Sequence, residues 1–191
     1  MATPISVAAQ DTPTRAAGLC PPAPQAFDFG LIDEDQSFTP STIRVSSNTA
    51  KIYSDESAYF SGDVIIQRNN QWLKTQSAQI SQRDNTIDAE GGVQFTDGYI
   101  NVTGASFNFD GDNELAKLNQ TQYQMASTNA RGKAQRLEIS PTHVSLFGSS
   151  FTTCPTDDPA WQLTAKRIEI DEQSDFGKAW DAKLELFDIP V

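Results

Sequence analysis

The stretch SSFTTCPTDDPAW, residues 149–161, sets Cys154 between a β-prone run and a proline-rich turn, and Cys20 is the one other cysteine in 191 residues. Two thiols without C-x-x-C spacing make neither a zinc ribbon nor a thioredoxin-like redox motif. In an oxidising compartment each would be disulfide-bonded, to the other or to a partner elsewhere, and the spacing leaves both pairings open. His143 is the sole histidine, and no serine, cysteine or carboxylate pair is tied to it by spacing, so a nucleophile-and-base arrangement has no support and no enzyme is expected. The run DGDNE, 110–114, alternates oxygen-bearing side chains but lacks the rest of a calcium loop, which makes it a hairpin turn and leaves no metal or other cofactor to expect. Arg131, Lys133 and Arg136 cluster in sequence, either on a solvated strand face or against a phosphate.

The composition narrows the class. A length of 191 residues with 38% apolar and 20% charged residues suits one folded domain. A formal net charge of −11, with only 14 Lys and Arg, argues against a nucleic-acid partner, which needs a concentrated basic face. No window approaches the roughly 18 consecutive apolar residues of a membrane-crossing helix. The opening MATPISVAAQ ends in small residues without a basic start or a long apolar stretch, and reads as the start of an exported mature chain behind an added Met1.

The elements that must position these residues are strands. Residues 1–42 read as an extended arm carrying Cys20, because Pro21, Pro22 and Pro24 block both helix and sheet ladder. From Ile43 to Val191 the texture is one of apolar pairs one residue apart: Val64/Ile66, Val93/Phe95, Ile100/Val102, Phe107/Phe109, Leu137/Ile139, Val144/Leu146, Ile168/Ile170 and Leu184/Leu186. That period of two marks strands with one buried and one wet face. Turn signals lie between them at Ser61-Gly62-Asp63, Arg68-Asn69-Asn70, Arg83-Asp84-Asn85, Thr96-Asp97-Gly98 and Asp110-Gly111-Asp112-Asn113, the Asp97-Gly98 step suiting a tight hairpin. The chain is therefore all-β, of many short strands. A weak repeat of Ala followed by an apolar residue, at Ala78, Ala105, Ala134 and Ala165, has a period of about 30 residues and points to stacked β layers, as in a solenoid or an elongated jelly roll. The end strands of such a stack expose unpaired N–H and C=O groups that invite another chain.

Residues 151–191, FTTCPTDDPAWQLTAKRIEIDEQSDFGKAWDAKLELFDIPV, resemble the stretch that precedes the β-barrel in the OstA-like LptD family of lipopolysaccharide-assembly proteins. YFSGDV at 59–64 and ARGKA at 130–134 are similar to repeats that this family shares with the bridge protein LptA. The resemblance implies a V-shaped β-jelly roll over 43–191 on the periplasmic face of the Gram-negative outer membrane, ending where a barrel would begin. It implies a conduit that takes lipopolysaccharide from an LptA-like bridge and shields the lipid A acyl chains on the way to the barrel. The implied partners are that bridge, added at the edge near residues 43–60, together with the β-barrel and an LptE-like plug lipoprotein. Cys20 and Cys154 match family positions that pair with two adjacent cysteines near the end of the barrel. The inward row expected to meet lipid is Val64, Ile66, Val93, Phe95, Ile100, Val102, Phe107, Phe109, Leu137, Ile139, Val144 and Leu146. Two other readings stand beside the conduit: a scaffold or chaperone of the same fold with a dry interior, and a β-sandwich carbohydrate-binding module using surface aromatics among Trp72, Trp161 and Trp180.

Overall fold

A computed structural model of the chain describes residues 42–191 apart from 127, 156–158, 172–175, 188 and 191; the arm and Cys20 lie outside the described residues. It is an antiparallel meander of thirteen described strands and no described helix: β1 (Arg44–Ser46), β2 (Thr49–Ile52), β3 (Ser57–Arg68), β4 (Gln71–Ser81), β5 (Thr86–Thr96), β6 (Ile100–Asp110), β7 (Leu115–Met125), β8 (Arg131–Ile139), β9 (His143–Phe151), β10 (Trp161–Asp171), β11 (Phe176–Trp180), β12 (Lys183–Leu186) and β13 (Ile189–Pro190). Each strand from β3 to β10 pairs with the next in sequence. β1 and β2 both pair with β3, along Ile65–Gln67 and Ala58–Ser61, so they are two halves of one broken edge strand. β11 and β12 divide β10 between them in the same way at the other edge, and β13 lies outside β12.

The long strands are bent at their middles. The ladder shifts register between Ser61 and Val64 on β3, Lys74 and Ser77 on β4, and Glu90 and Val93 on β5. On β7 to β10 pairing is interrupted at the same level, around Gln120, Gln135, Gly148 and Lys166. Gly62, Asp63, Gly91, Gly92, Gln120 and Gly148 take positive φ along this line, as bulges require. Two buried threonines supply bonds there: Thr75 Oγ1 donates to the Glu90 carbonyl at 2.7 Å and Thr121 Oγ1 to that of Ala134 at 3.1 Å. A carbonyl stranded inside without a donor would cost about 1–3 kcal/mol.

A pair of aromatic rings shows that the bend folds the sheet on itself. Phe95 lies opposite Val102 in the β5–β6 ladder, five residues from Phe107, which straight strands would put about 17 Å away. The Phe95 and Phe107 ring centroids are 5.5 Å apart, so the two halves of the hairpin face each other. One layer ends in the turns at 69–70 and 97–99, the other in those at 82–85, 111–114 and 140–142. Strands that are not ladder neighbours keep their Cα atoms more than 8 Å apart, leaving a side-chain layer between the halves. Val64, Val102 and Tyr123 fill it from the first layer and Leu118, Leu137 and Leu146 from the second. Burying each large aliphatic side chain stabilises by about 1.5–3 kcal/mol.

Two sequence expectations change here. Ser61-Gly62-Asp63 is not a turn between strands but the bulge inside β3. The alanine repeat does not mark equivalent places, since Ala105 is exposed while Ala78, Ala134 and Ala165 are buried; the repeating unit is a bent hairpin. The four other turn signals all fall between strands. Asp97 Oδ1 accepts the N–H groups of Tyr99 and Ile100, both at 2.9 Å, and Gly98 supplies the left-handed residue of that hairpin.

Candidate functional site

The two layers do not meet along their free ends. A cavity of about 450 Å³ opens between the turns at 69–70 and 97–99 on one side and 111–114 and 140–142 on the other, within the size range of ligand pockets. β3 and β4 bring Ile66 and Leu73 to one wall, and Phe95 enters from β5 beside them. The opposite wall is Ile87, Phe107 and Ala116, with Phe109 at the lip. The walls are apolar, while Arg68, Asn69, Asn70, Gln71, Asp97, Glu114 and Ser140 also line the cavity, an arrangement that suits a hydrocarbon chain carrying a polar end.

Of the twelve residues expected to face lipid, Ile66, Phe95, Phe107, Phe109 and Ile139 line this cavity. Val64, Val93, Ile100, Val102, Leu137, Val144 and Leu146 also point inward but are packed in the core, none more than 2% exposed. The same period of two produces both groups, and even ladder partners divide between them: Phe95 and Ile139 line the cavity while Val102 and Val144 opposite them are core. Leu73, Ile87, Tyr99 and Ala116 line the cavity without having been singled out, and Trp72, considered in the sequence as a surface aromatic, lines it too. Leu73 alternates with Thr75 and Ile87 with Ala89, pairs that an apolar-x-apolar search for large side chains passes over; Tyr99 sits in a turn.

The remaining chemistry-bearing residues are structural. Asp110 Oδ1 accepts the N–H groups of Asp112 and Asn113, and Asn113 Nδ2 donates to its Oδ2 at 2.7 Å. The Asn113 side chain and then its backbone N–H hold the Asp110 carboxyl below its usual range, and the loop is the turn between β6 and β7. His143 Nδ1 lies 2.6 Å from Thr142 Oγ1 in the β8–β9 turn. No group of three or more His, Cys, Asp or Glu able to hold a metal occurs among the described residues. Arg131, Lys133 and Arg136 do not reach the cavity: Arg136 pairs with Glu138 at 3.0 Å and lies 4.2 Å above Phe147, Lys133 is exposed, and Arg131 is buried with Nε donating to Asn129 O.

Cys154 is buried and disulfide-bonded. Its N–H donates to Thr152 Oγ1 at 3.0 Å, and that hydroxyl donates to Trp161 O at 2.6 Å, which fixes the chain on either side of the proline-rich turn. Nearby, Tyr123 reaches across β8 to donate to Ser150 O at 2.8 Å; burial raises its hydroxyl pKa well above the ordinary phenol value.

Among the described residues, both edges of the sheet are open and greasy. Every large apolar side chain exposed among the described residues sits at one end or the other. Ile43, Ile52, Tyr53 and Tyr59 lie by β1–β3, and Trp180, Leu184, Leu186 and Phe187 by β11–β12, with Ile52 83% and Phe187 68% exposed. Tyr53 N–H donates to Ser57 O at 2.9 Å, so by the antiparallel alternation Thr49 and Lys51 face β3 while Ala50 and Ile52 present N–H and C=O to the open side. No described helix is long and apolar enough to cross a membrane, which says nothing of strands.

These features define a class: an all-β module with an apolar slot between the halves of one folded sheet and an open ladder at each end. Residues 44–176 match the family model described as LptA/(LptD N-terminal domain) LPS transport protein, and the chain belongs to that family. Among its relatives are the LPS-assembly proteins LptD of Idiomarina loihiensis, 53% identical over 150 residues, and of Shewanella oneidensis, 32% identical over 193. These matches cover 78% and 98% of the chain but only 20% and 25% of the relatives, so the chain spans a quarter of their length or less. A crystal structure of LptH, the LptA homologous periplasmic component of the lipopolysaccharide transport device from Pseudomonas aeruginosa, aligns with a TM-score of 0.47 and 14% identity over 52% of this chain and 76% of that one. The family is one of transport, in keeping with the expectation that the chain is no enzyme.

Proposed function

We propose that this chain is the periplasmic module of an outer-membrane lipopolysaccharide translocon, receiving lipopolysaccharide from an LptA-like bridge and sheltering its acyl chains on the way to a β-barrel. The observation that carries the reading is the cavity between the layers that the stacked Phe95 and Phe107 rings line together with Ile66 and Leu73 on one layer and Ile87 and Ala116 on the other. Each methylene moved from water into such a slot contributes about 0.8 kcal/mol, so a few acyl segments are held without any charged contact. The chain's −11 charge repels an anionic glycolipid at long range, which favours a pose with sugars in solvent and tails inside. The open ladder of β1 and β2 is the docking edge for the bridge, by strand addition that continues sheet and slot together. In the full-length protein Cys20 and Cys154 would give up the bond Cys154 makes here and anchor the module to the barrel, which an LptE-like lipoprotein plugs, and the module sits on the periplasmic face of the outer membrane.

Filling the slot tests this. Ala116 is 6% exposed and faces the cavity, so Ala116→Phe places a ring where chain segments would lie. Displacing about three methylenes weakens lipopolysaccharide binding by about 2.4 kcal/mol, roughly fiftyfold in Kd, with thermal stability little changed. Unaltered binding by this variant would favour the scaffold reading, in which the interior is dry.

A further inference from the structure

The inward row of β3 does not end on an apolar residue. Val64 and Ile66 are followed at the same parity by Arg68, and among the described residues lining the cavity Arg68 is the only lysine or arginine. Its guanidinium carbon lies 5.8 Å from the ring centroid of Phe109, which belongs to the opposite layer, so the side chain spans the slot at its mouth. The ion pairs of Arg136 with Glu138, Lys166 with Asp181 and Arg167 with Glu169 lie elsewhere. Of the two carboxylates at the mouth, Asp97 is engaged with the N–H groups of its own turn, and Glu114, exposed on the other lip, makes no ion pair with Arg68.

A cation at the entrance of a hydrocarbon slot, half-buried and resting on an aromatic face, matches a ligand whose anionic group is joined directly to its tails. We propose that Arg68 is the specificity residue of the slot, binding the phosphate at the headgroup–tail junction of an anionic amphiphile; this rests on the slot being a lipid site. Phosphate offers paired oxygens to the guanidinium fork, a stronger partner than the ring face. As the guanidinium turns to the phosphate it leaves Phe109, whose ring then packs against the first methylenes. Selection thus occurs at the lip, and Arg131, Lys133 and Arg136, remote from the cavity, take no part.

Isothermal titration of the full 191-residue chain with decyl phosphate and decyl glucoside, both below their micelle concentrations, separates charge from tail. The wild type binds decyl phosphate about tenfold tighter than decyl glucoside, and the difference shrinks with added salt. Arg68→Gln brings the two within about twofold by weakening decyl phosphate alone, Arg68→Lys restores part of the gap, and inorganic phosphate at equal concentration gives no heat of binding. Equal affinity of the wild type for both amphiphiles, a preference that persists in Arg68→Gln, or saturable binding of inorganic phosphate alone each overturns the Arg68 assignment while leaving a lipid slot standing. If neither amphiphile binds, the lipid reading falls and this inference with it.

Discussion

Gly132→Ala is expected to lower the melting temperature of the chain by about 10 °C or more, a loss of at least about 3 kcal/mol for a domain of this size. Gly132 pairs with Tyr123 in the β7–β8 ladder, and the Tyr123 side chain passes over it to reach β9, where its hydroxyl donates to Ser150 O. A Cβ at position 132 would clash with that carbonyl oxygen and lie 3.0 Å from the Tyr123 hydroxyl. The first contact is with backbone on a neighbouring central strand and is relieved only by moving β8 and β9 apart, which also breaks the Tyr123 bond. Gly132 has no positive φ, so the penalty is steric and not conformational. Gly177→Ala is the control: its added Cβ meets only ordinary contacts at 3.6 and 4.0 Å on an exposed edge strand, and its melting temperature stays within about 2 °C of wild type. Differential scanning calorimetry of both variants decides, and a Gly132→Ala protein as stable as Gly177→Ala would refute the packing described for this end of the sheet.

Ala50→Pro is expected to weaken binding of a purified LptA-like bridge protein at least tenfold, about 1.4 kcal/mol. The substitution removes an N–H that faces the open side of β2 and puts ring carbons where the incoming carbonyl would sit. The bonds to β3 come from Thr49, Lys51 and Tyr53, so the fold keeps its own ladder. Val45 is a poorer probe because it is partly buried against the core. Ile52→Pro gives the same loss by the same route. Titration calorimetry with the bridge protein checks this, and full affinity in both variants would move the docking site away from β1–β2.

The strands were legible because a half-buried strand must alternate, and pairs such as Val93/Phe95 and Ile168/Ile170 state that alternation outright. The bend across the middle of every long strand was not. Gly62-Asp63 has the same chemistry in a bulge as in a turn, and only the ladder continuing on both sides distinguishes them. For the same reason Val102 and Phe107, equivalent in sequence pattern, differ in place: Val102 is wholly enclosed in the core, while Phe107, past the bend, stacks on Phe95 and lines the slot. Arg68 was passed over as part of a turn signal, since its inward direction follows from the parity of Val64 and Ile66 across a strand whose end the sequence does not mark.

The central claim is that acyl chains run between the layers at the open end of the fold. Photo-crosslinking residues placed at Phe95, Phe107 and Phe109 in cells assembling an outer membrane should form adducts with lipopolysaccharide. The same group at Gln94 and Asn108, neighbours on the outward face, should form none, and at Val102, sealed in the core, few or none. Adducts at the outward positions equal to those at the inward ones, or none at Phe95, Phe107 and Phe109, would contradict the account.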